Sequence, residues 1–252
     1  MTTERPLLPA GYRLYQFDSV GSTNGEAKRL AHSGAPELAV VWAREQTQGR
    51  GRRGRRWISP HGNLYLSLLL YPRSPPAVAA QLGFAAAVAL AESLPFPPET
   101  EISCKWPNDV LVRGRKIAGI LLESETGEGG KLAYLVIGVG VNCASHPRDA
   151  EFPATSIAEE GGASSPDVLL ERFLARFDDL FRLWQREGFQ RIRALWLARA
   201  AFLGEGLRVR LKEATLGGRF VDIDAEGALV LERDGDTRKI SAGEVFPAQT
   251  RK

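Results

Sequence analysis

Two apolar runs, Leu38–Ala43 and Leu64–Tyr71, flank a stretch of a different kind, Gln46–Trp57, with the sequence QTQGRGRRGRRW. The apolar runs have the length and residue types of buried strands. From Arg50 to Arg56 five of seven residues are arginine and two are glycine. Each glycine costs roughly 1 kcal/mol in a helix, so this run reads as a loop between two core strands. Arginine presents a planar fork of donors that fits carboxylate and phosphate oxygens in pairs. Glycine lets the backbone come close to a ligand. The combination predicts a small-anion site on a loop that is mobile when empty and orders on its ligand. A solvated basic loop and a nucleic-acid-binding arginine–glycine segment are the competing readings.

The formal net charge of +3 is small, and much of the excess sits in that loop. This argues for a local anion site rather than a surface that coats nucleic acid. Cys104 and Cys143 lie in or beside apolar runs and read as reduced, buried thiols of a cytoplasmic protein. The three histidines are scattered, with no zinc-like spacing. No basic-then-apolar leader is visible. The small-apolar run Leu82–Leu94 contains Gly83 and Glu92 and reads as too short to cross a membrane.

Taken in order, Tyr12–Phe17 reads as a first strand. Thr23 followed by Glu26 has capping-box spacing, which predicts a helix over 24–32. Pro75-Pro76 opens a largely buried, alanine-rich helix to Leu94. Glu101–Lys105 and Val110–Val112 read as strands broken by Trp106-Pro107-Asn108-Asp109. Lys116–Glu123 and Leu132–Cys143 follow as strands, and residues 144–164 as loop. Ser165-Pro166-Asp167 starts a helix to Glu187 whose stripe of Val168, Leu169, Phe173, Phe177, Leu180, Phe181 and Trp184 predicts a core face. A second helix covers 189–201. Short strands at 207–211, 219–223, 228–232 and 237–241 then predict a small all-β domain that leans on the larger one. The fold class is α+β, with a mixed sheet and flanking helices.

Three further features join the loop. Lys105-Trp106-Pro107-Asn108-Asp109 puts a cation and an amide–carboxylate pair at a strand end. Lys116 precedes Ile117-Ala118-Gly119, where small residues admit a flat ligand. Gly138-Val139-Gly140-Val141-Asn142 ends a strand with backbone that a ligand can approach. Each motif alone is weak.

In this order, Ser22-Thr23-Asn24, Gln46 with GRGRRGRRW, KWPND, KIAGIL and GVGVN, the set resembles the biotin–protein ligases. The resemblance implies a catalytic domain over 1–203, of the class II synthetase-like fold, and an SH3-like β-barrel over 204–252. It implies joining of biotin and ATP to biotinyl-5′-AMP, then transfer of biotin to a lysine of a carboxylase's biotin carrier domain. Ser22, Thr23, Asn24, Gln46, Arg50, Gly51, Arg52, Lys116 and Gly119 would line the biotin site. Arg50, Arg52, Arg53, Trp57, Asn108, Lys116 and Asn142 would contact ATP or the adenylate. Lys116 and Arg52 would carry the chemistry, and Asp109 would contact Mg²⁺. Many members carry a DNA-binding winged-helix domain; about ten residues precede the first strand here, so no specific DNA binding is expected. No membrane partner is expected either, and monomer and homodimer both stay open. Gly243-Glu244-Val245 is similar to the family's end motif, but Ala248 stands where an arginine is often found, with Arg251 as a substitute. The related lipoate ligases share the fold and typically lack the arginine loop. An enzyme acting on lipoate or octanoate and a basic nucleic-acid-binding module are the alternatives.

Overall fold

A computed structural model describes residues 6–248 of the chain, so Arg251 lies outside the described residues. Strand β1 (Arg13–Val20) leads into helix α1 (Thr23–His32), then β2 (Ala39–Gln46) and β3 (Leu64–Leu70). Helices α2 (Pro76–Ala80) and α3 (Leu82–Ser93) precede β4 (Ile102–Lys105), β5 (Asp109–Val112), β6 (Arg115–Thr126) and β7 (Leu132–Val141). Together they build a seven-stranded sheet of order β1-β2-β3-β7-β6-β5-β4. Only β1 and β2 pair in parallel; the other neighbours are antiparallel, so the sheet is mixed as expected.

Period-two alternation explains why β3, LYLSLLL, is buried throughout. Leu64, Leu66, Leu68 and Leu70 face the main core with α3, α4 (Pro166–Glu187) and α5 (Phe189–Leu197). Leu69 faces the other way, against Ala27 and Leu30 of α1. A sheet covered on both faces needs apolar residues at every position. Ser67, on the α1 face, is therefore an exception that wants an explanation.

Helix α3 is buried on all sides except Glu92. The helix expected as one piece is divided at Gln81, whose side chain accepts from Trp184 Nε1 (3.0 Å) and donates to Ala225 O (3.2 Å). Counted together with α2, the longer stretch Pro76–Ser93 is long and apolar enough to cross a membrane by length and composition alone. Two-thirds of it is buried inside the protein, where it serves as a core helix. On α4 the rings of Phe173, Phe177, Phe181 and Trp184 stack in sequence at 5.8, 6.0 and 6.2 Å, as spacings of four, four and three residues on a helix allow. Val168, expected in that stripe, is exposed, and Leu170 and Leu174 are buried instead. Burial pushes the free thiols of Cys104 and Cys143 up to about 12.

The small domain holds β8 (Gly206–Arg210), β9 (Thr215–Ile223), β10 (Leu229–Arg233), β11 (Asp236–Ile240) and β12 (Glu244–Pro247), ordered β11-β10-β9-β8-β12. β12 was not foreseen as a strand; it pairs antiparallel with β8. The apolar residues of this sheet are continuous with the main core. Trp106 Nε1 donates to Gly227 O at 3.0 Å, and Gly227 has φ +86°. A Cβ there would come within 2.7 Å of the Phe84 ring, so the turn needs glycine both for its backbone and for space.

Candidate functional site

The N-terminus of α1 meets β2, β3, β6 and β7 at a cavity of about 370 Å³. Its floor is polar and neutral. The backbone N–H and the hydroxyl of Thr23 both donate to Gln46 Oε1, at 2.8 and 3.1 Å. Gln46 Nε2 donates to Ser59 Oγ (3.0 Å), which donates to Trp57 O (2.9 Å). Ser67 Oγ lies 2.8 Å from Thr23 Oγ1 and 2.6 Å from Asn24 Oδ1, which explains the lone hydroxyl in β3. The expected capping box does not form. Ser22 is the N-cap without a side-chain cap bond, and the Thr23 hydroxyl is turned to Gln46 instead. Gly138 sits opposite Ser67 in the β3–β7 register, and a Cβ there would collide with the Asn24 amide.

Asn24 Nδ2 also donates to Glu123 Oε2 at 2.7 Å, and Lys28 pairs with the same carboxylate. Burial pushes the Glu123 carboxyl up, but the Lys28 and Asn24 hydrogen bonds and the nearby charges outweigh it and hold it below the ordinary glutamate range. Arg50 lies 3.7 Å from Glu123 Oε2.

The opposite end is cationic. Lys105 closes β4 and Asp109 opens β5, directly paired in register. Lys116, at the start of β6, reaches Asp109 Oδ1 at 2.6 Å, and Lys105 Nζ lies 3.4 Å from Oδ2. Burial favours the neutral acid at Asp109, but Lys116 and Lys105 overcome it and hold the carboxyl low. Asn108 braces the turn by donating to Ile120 O (2.7 Å) and accepting from Arg52 Nη1 (3.3 Å). Burial, then the charge of Arg53, lowers the Arg52 guanidinium from its ordinary value. Trp57 lies over Gly119 and Gly140, which pair across β6 and β7. The slot expected to admit a flat ligand thus holds an indole, 5.3 Å from Lys116 Nζ.

The loop Gly49–Trp57 is folded on itself by Gly51 N to Arg55 O (2.7 Å) and Trp57 N to Gly49 O (3.0 Å). Arg55 pairs with Glu244 at 2.5 Å, and Arg210 joins Glu244 to Glu151. The segment 147–154 forms a wall: Lys116 N donates to Pro153 O (2.7 Å), and Thr155 N to Lys116 O (2.9 Å). Asn142, buried, donates to Thr155 O at 3.0 Å. Asn63 Oδ1 accepts the N–H groups of Cys143, Ala144 and Ser145, fixing the root of that wall.

The cavity brings together Ser22, Thr23, Asn24, Gln46, Arg50, Gly51, Arg52, Trp57, Asn108, Asp109, Lys116, Gly119 and Asn142. Arg53 is not among its lining; it is exposed, at φ +56°. Sequence reasoning missed Ser67, Ser59, the 147–154 wall and Phe246. Only the hydroxyl in an otherwise apolar strand was a visible signal. Asp109 does not suit Mg²⁺, because its two oxygens already face two ammonium groups. Among the described residues no group of three or more His, Cys, Asp or Glu could hold a metal ion.

A neutral hydrogen-bonding floor joined through Lys116 to a cluster of cations suits an enzyme that activates a small carboxylate against a phosphate. The chain belongs to the biotin/lipoate A/B protein ligase family, which matches residues 17–142; the biotin protein ligase C-terminal domain matches residues 202–246. It is 44% identical over 237 residues to a biotin–[acetyl-CoA-carboxylase] ligase of Paracoccus denitrificans, covering 89% of this chain and 96% of that one. It is 34% identical to the bifunctional ligase/repressor BirA of Bacillus subtilis, covering 93% of this chain and 74% of BirA. The biotin protein ligase of Aquifex aeolicus in complex with biotin and ATP superposes with a TM-score of 0.79 at 27% identity, over 94% of this chain and 99% of that one.

Proposed function

We propose that this chain is an ATP-dependent biotin–protein ligase that forms biotinyl-5′-AMP and passes biotin to a lysine of a carboxylase's carrier domain. The observation that carries the reading is the position of Lys116, between the neutral floor and the cationic end. A ureido ring offers both donors and acceptors, and Thr23, Asn24 and Gln46, which line the cavity, present the same mix, with Ser67 behind them. A carboxylate attacking an α-phosphate brings two anions together, and Lys116 and Arg52 stand where both need neutralising. The biotin carboxylate oxygen bonds to the α-phosphorus as the bond to the diphosphate breaks. The neutral amine of the carrier lysine then attacks the acyl carbon, and AMP leaves. Gln46, by binding the Thr23 N–H, fixes the helix end against the ring; Trp57 and Asn142 serve the adenine end.

Calorimetry with biotin, lipoate and octanoate tests the substrate. Biotin should bind and the two fatty acids should not. Incubation with ATP, biotin and a carrier domain should give one biotin per carrier. Tighter binding of lipoate or octanoate would reassign the floor to an acyl chain.

A further inference from the structure

We propose that Asp109 is the shared counter-ion of two substrate-binding lysines rather than a metal ligand, and that Lys105 is a second cation that takes nucleotide phosphate oxygens. Asp109 is buried and its oxygens are divided, Oδ1 to Lys116 and Oδ2 to Lys105. No oxygen faces the cavity without a cation beside it. Lys105 is itself 6% exposed, yet lines the cavity. An ammonium has three donors. Among the described residues, Lys105 makes only the one long hydrogen bond of 3.4 Å to Asp109. The rings of Phe152, 4.5 Å away, and Phe246, 5.9 Å away, flank it, and the charges of Lys116 and Glu244 act on it without a hydrogen bond. A buried charge with unspent donors is costly unless a ligand completes it. Burial accordingly draws the Lys105 ammonium down from its ordinary value, with Asp109 opposing. Two lysines against one carboxylate leave a net positive charge and Arg52 adds another, while Glu244, which offsets part of it, is itself paired with Arg55 and Arg210. Lys116 is placed for the oxygens where the new bond forms, and Lys105 for those of the departing diphosphate.

The inference rests on the ligase reading, and the two fail differently. Wild type, Lys105→Met and Asp109→Asn are titrated with inorganic pyrophosphate in EDTA by calorimetry, and separately with biotin. Magnesium is then varied in a pyrophosphate-release assay. Lys105→Met should weaken metal-free pyrophosphate binding at least ten-fold and change biotin affinity less than two-fold. Asp109→Asn should slow pyrophosphate release while leaving the half-saturating magnesium concentration within two-fold of wild type. If Asp109→Asn does not fold, the double variant Lys105→Met/Asp109→Asn leaves one ammonium fewer unpaired and carries the same magnesium titration. Unchanged pyrophosphate affinity in Lys105→Met overturns the role of Lys105. A ten-fold higher magnesium requirement without the Asp109 charge makes it a metal ligand after all. Failure of wild type to bind biotin would sink the ligase reading itself, whatever the lysines do.

Discussion

Gly140→Ala tests whether the indole of Trp57 is a working part of the site. A Cβ at Gly140 would stand 2.6 Å from Trp57 Nε1, 2.7 Å from Cε2 and 3.0 Å from Cζ2. All three are ring atoms, so no flexible tip can yield. Carbon contacts settle at about 3.5–4.0 Å, so the ring must shift by about 1 Å. The backbone of Trp57 resists, because its N–H is bonded to Gly49 O and its carbonyl accepts from Ser59. Overpacking of this kind costs about 1–3 kcal/mol, equivalent to an ATP affinity about 5- to 150-fold weaker if the indole holds the nucleotide. Calorimetry with ATP on wild type, Gly140→Ala, Trp57→Ala and the double variant forms a double-mutant cycle. In the Trp57→Ala background, Gly140→Ala should cost less than about 0.5 kcal/mol. Additive effects would refute the reasoning, since the new methyl would then act on the ligand or the sheet directly.

Lys116→Ala should nearly abolish adenylate formation, measured as pyrophosphate release, with an unchanged circular dichroism spectrum; activity within a few-fold of wild type would remove it from the mechanism. Arg52 bonds Asn108 and Gly243 O across the cavity, so Arg52→Gly should still make adenylate but lose it early. More biotin on bystander lysines, seen on a streptavidin blot, is the expected result. Glu123 has a depressed carboxyl, so its contribution to stability is present above the unfolded value of about 4.3 and is lost as pH falls through the lower folded value. Glu123→Gln should therefore lower the melting temperature at neutral pH, with the gap to wild type closing below about pH 4.

Local pattern carried most of the fold. Strand runs, the Phe173–Trp184 stripe and the order of the motifs all rest on neighbours in sequence. Contacts between distant segments were not legible. Ser67 has no reason for its hydroxyl within its own strand; the reason is that α1 places Thr23 and Asn24 above it. Glu151 and Phe152 lay in what read only as loop, and nothing local says that Lys116 would fix that loop as a wall. The metal expectation for Asp109 could count only its neighbours in sequence. Lys105 was noted beside it in sequence, but Lys116, seven residues on, reaches the carboxylate only through the hairpin of β5 and β6.

The arginine loop shows the same limit and gives it a test. The loop is expected to be mobile when empty, and the structure sets acids against two of its arginines that would oppose that mobility. Arg55 has Glu244 and Glu151 and Arg50 has Glu123, while Arg53 and Arg56 make no ion pair among the described residues. Such ion pairs contribute about 0.2–1 kcal/mol each, so the three together hold the loop by about 0.6–3 kcal/mol. At 0.5 M salt the Debye length falls to about 4 Å, and loss of these pairs should raise loop opening about 3- to 150-fold. Hydrogen exchange at residues 49–56 should accelerate by that factor in the empty protein. With biotin and ATP bound, the same arginines face anions in an enclosed cavity, and the salt effect should drop below two-fold. Equal acceleration with and without ligand would show that the ligand does not take over the arginines. No acceleration in either state would show that the backbone bonds within the loop, Gly51 to Arg55 and Trp57 to Gly49, hold it without the acids.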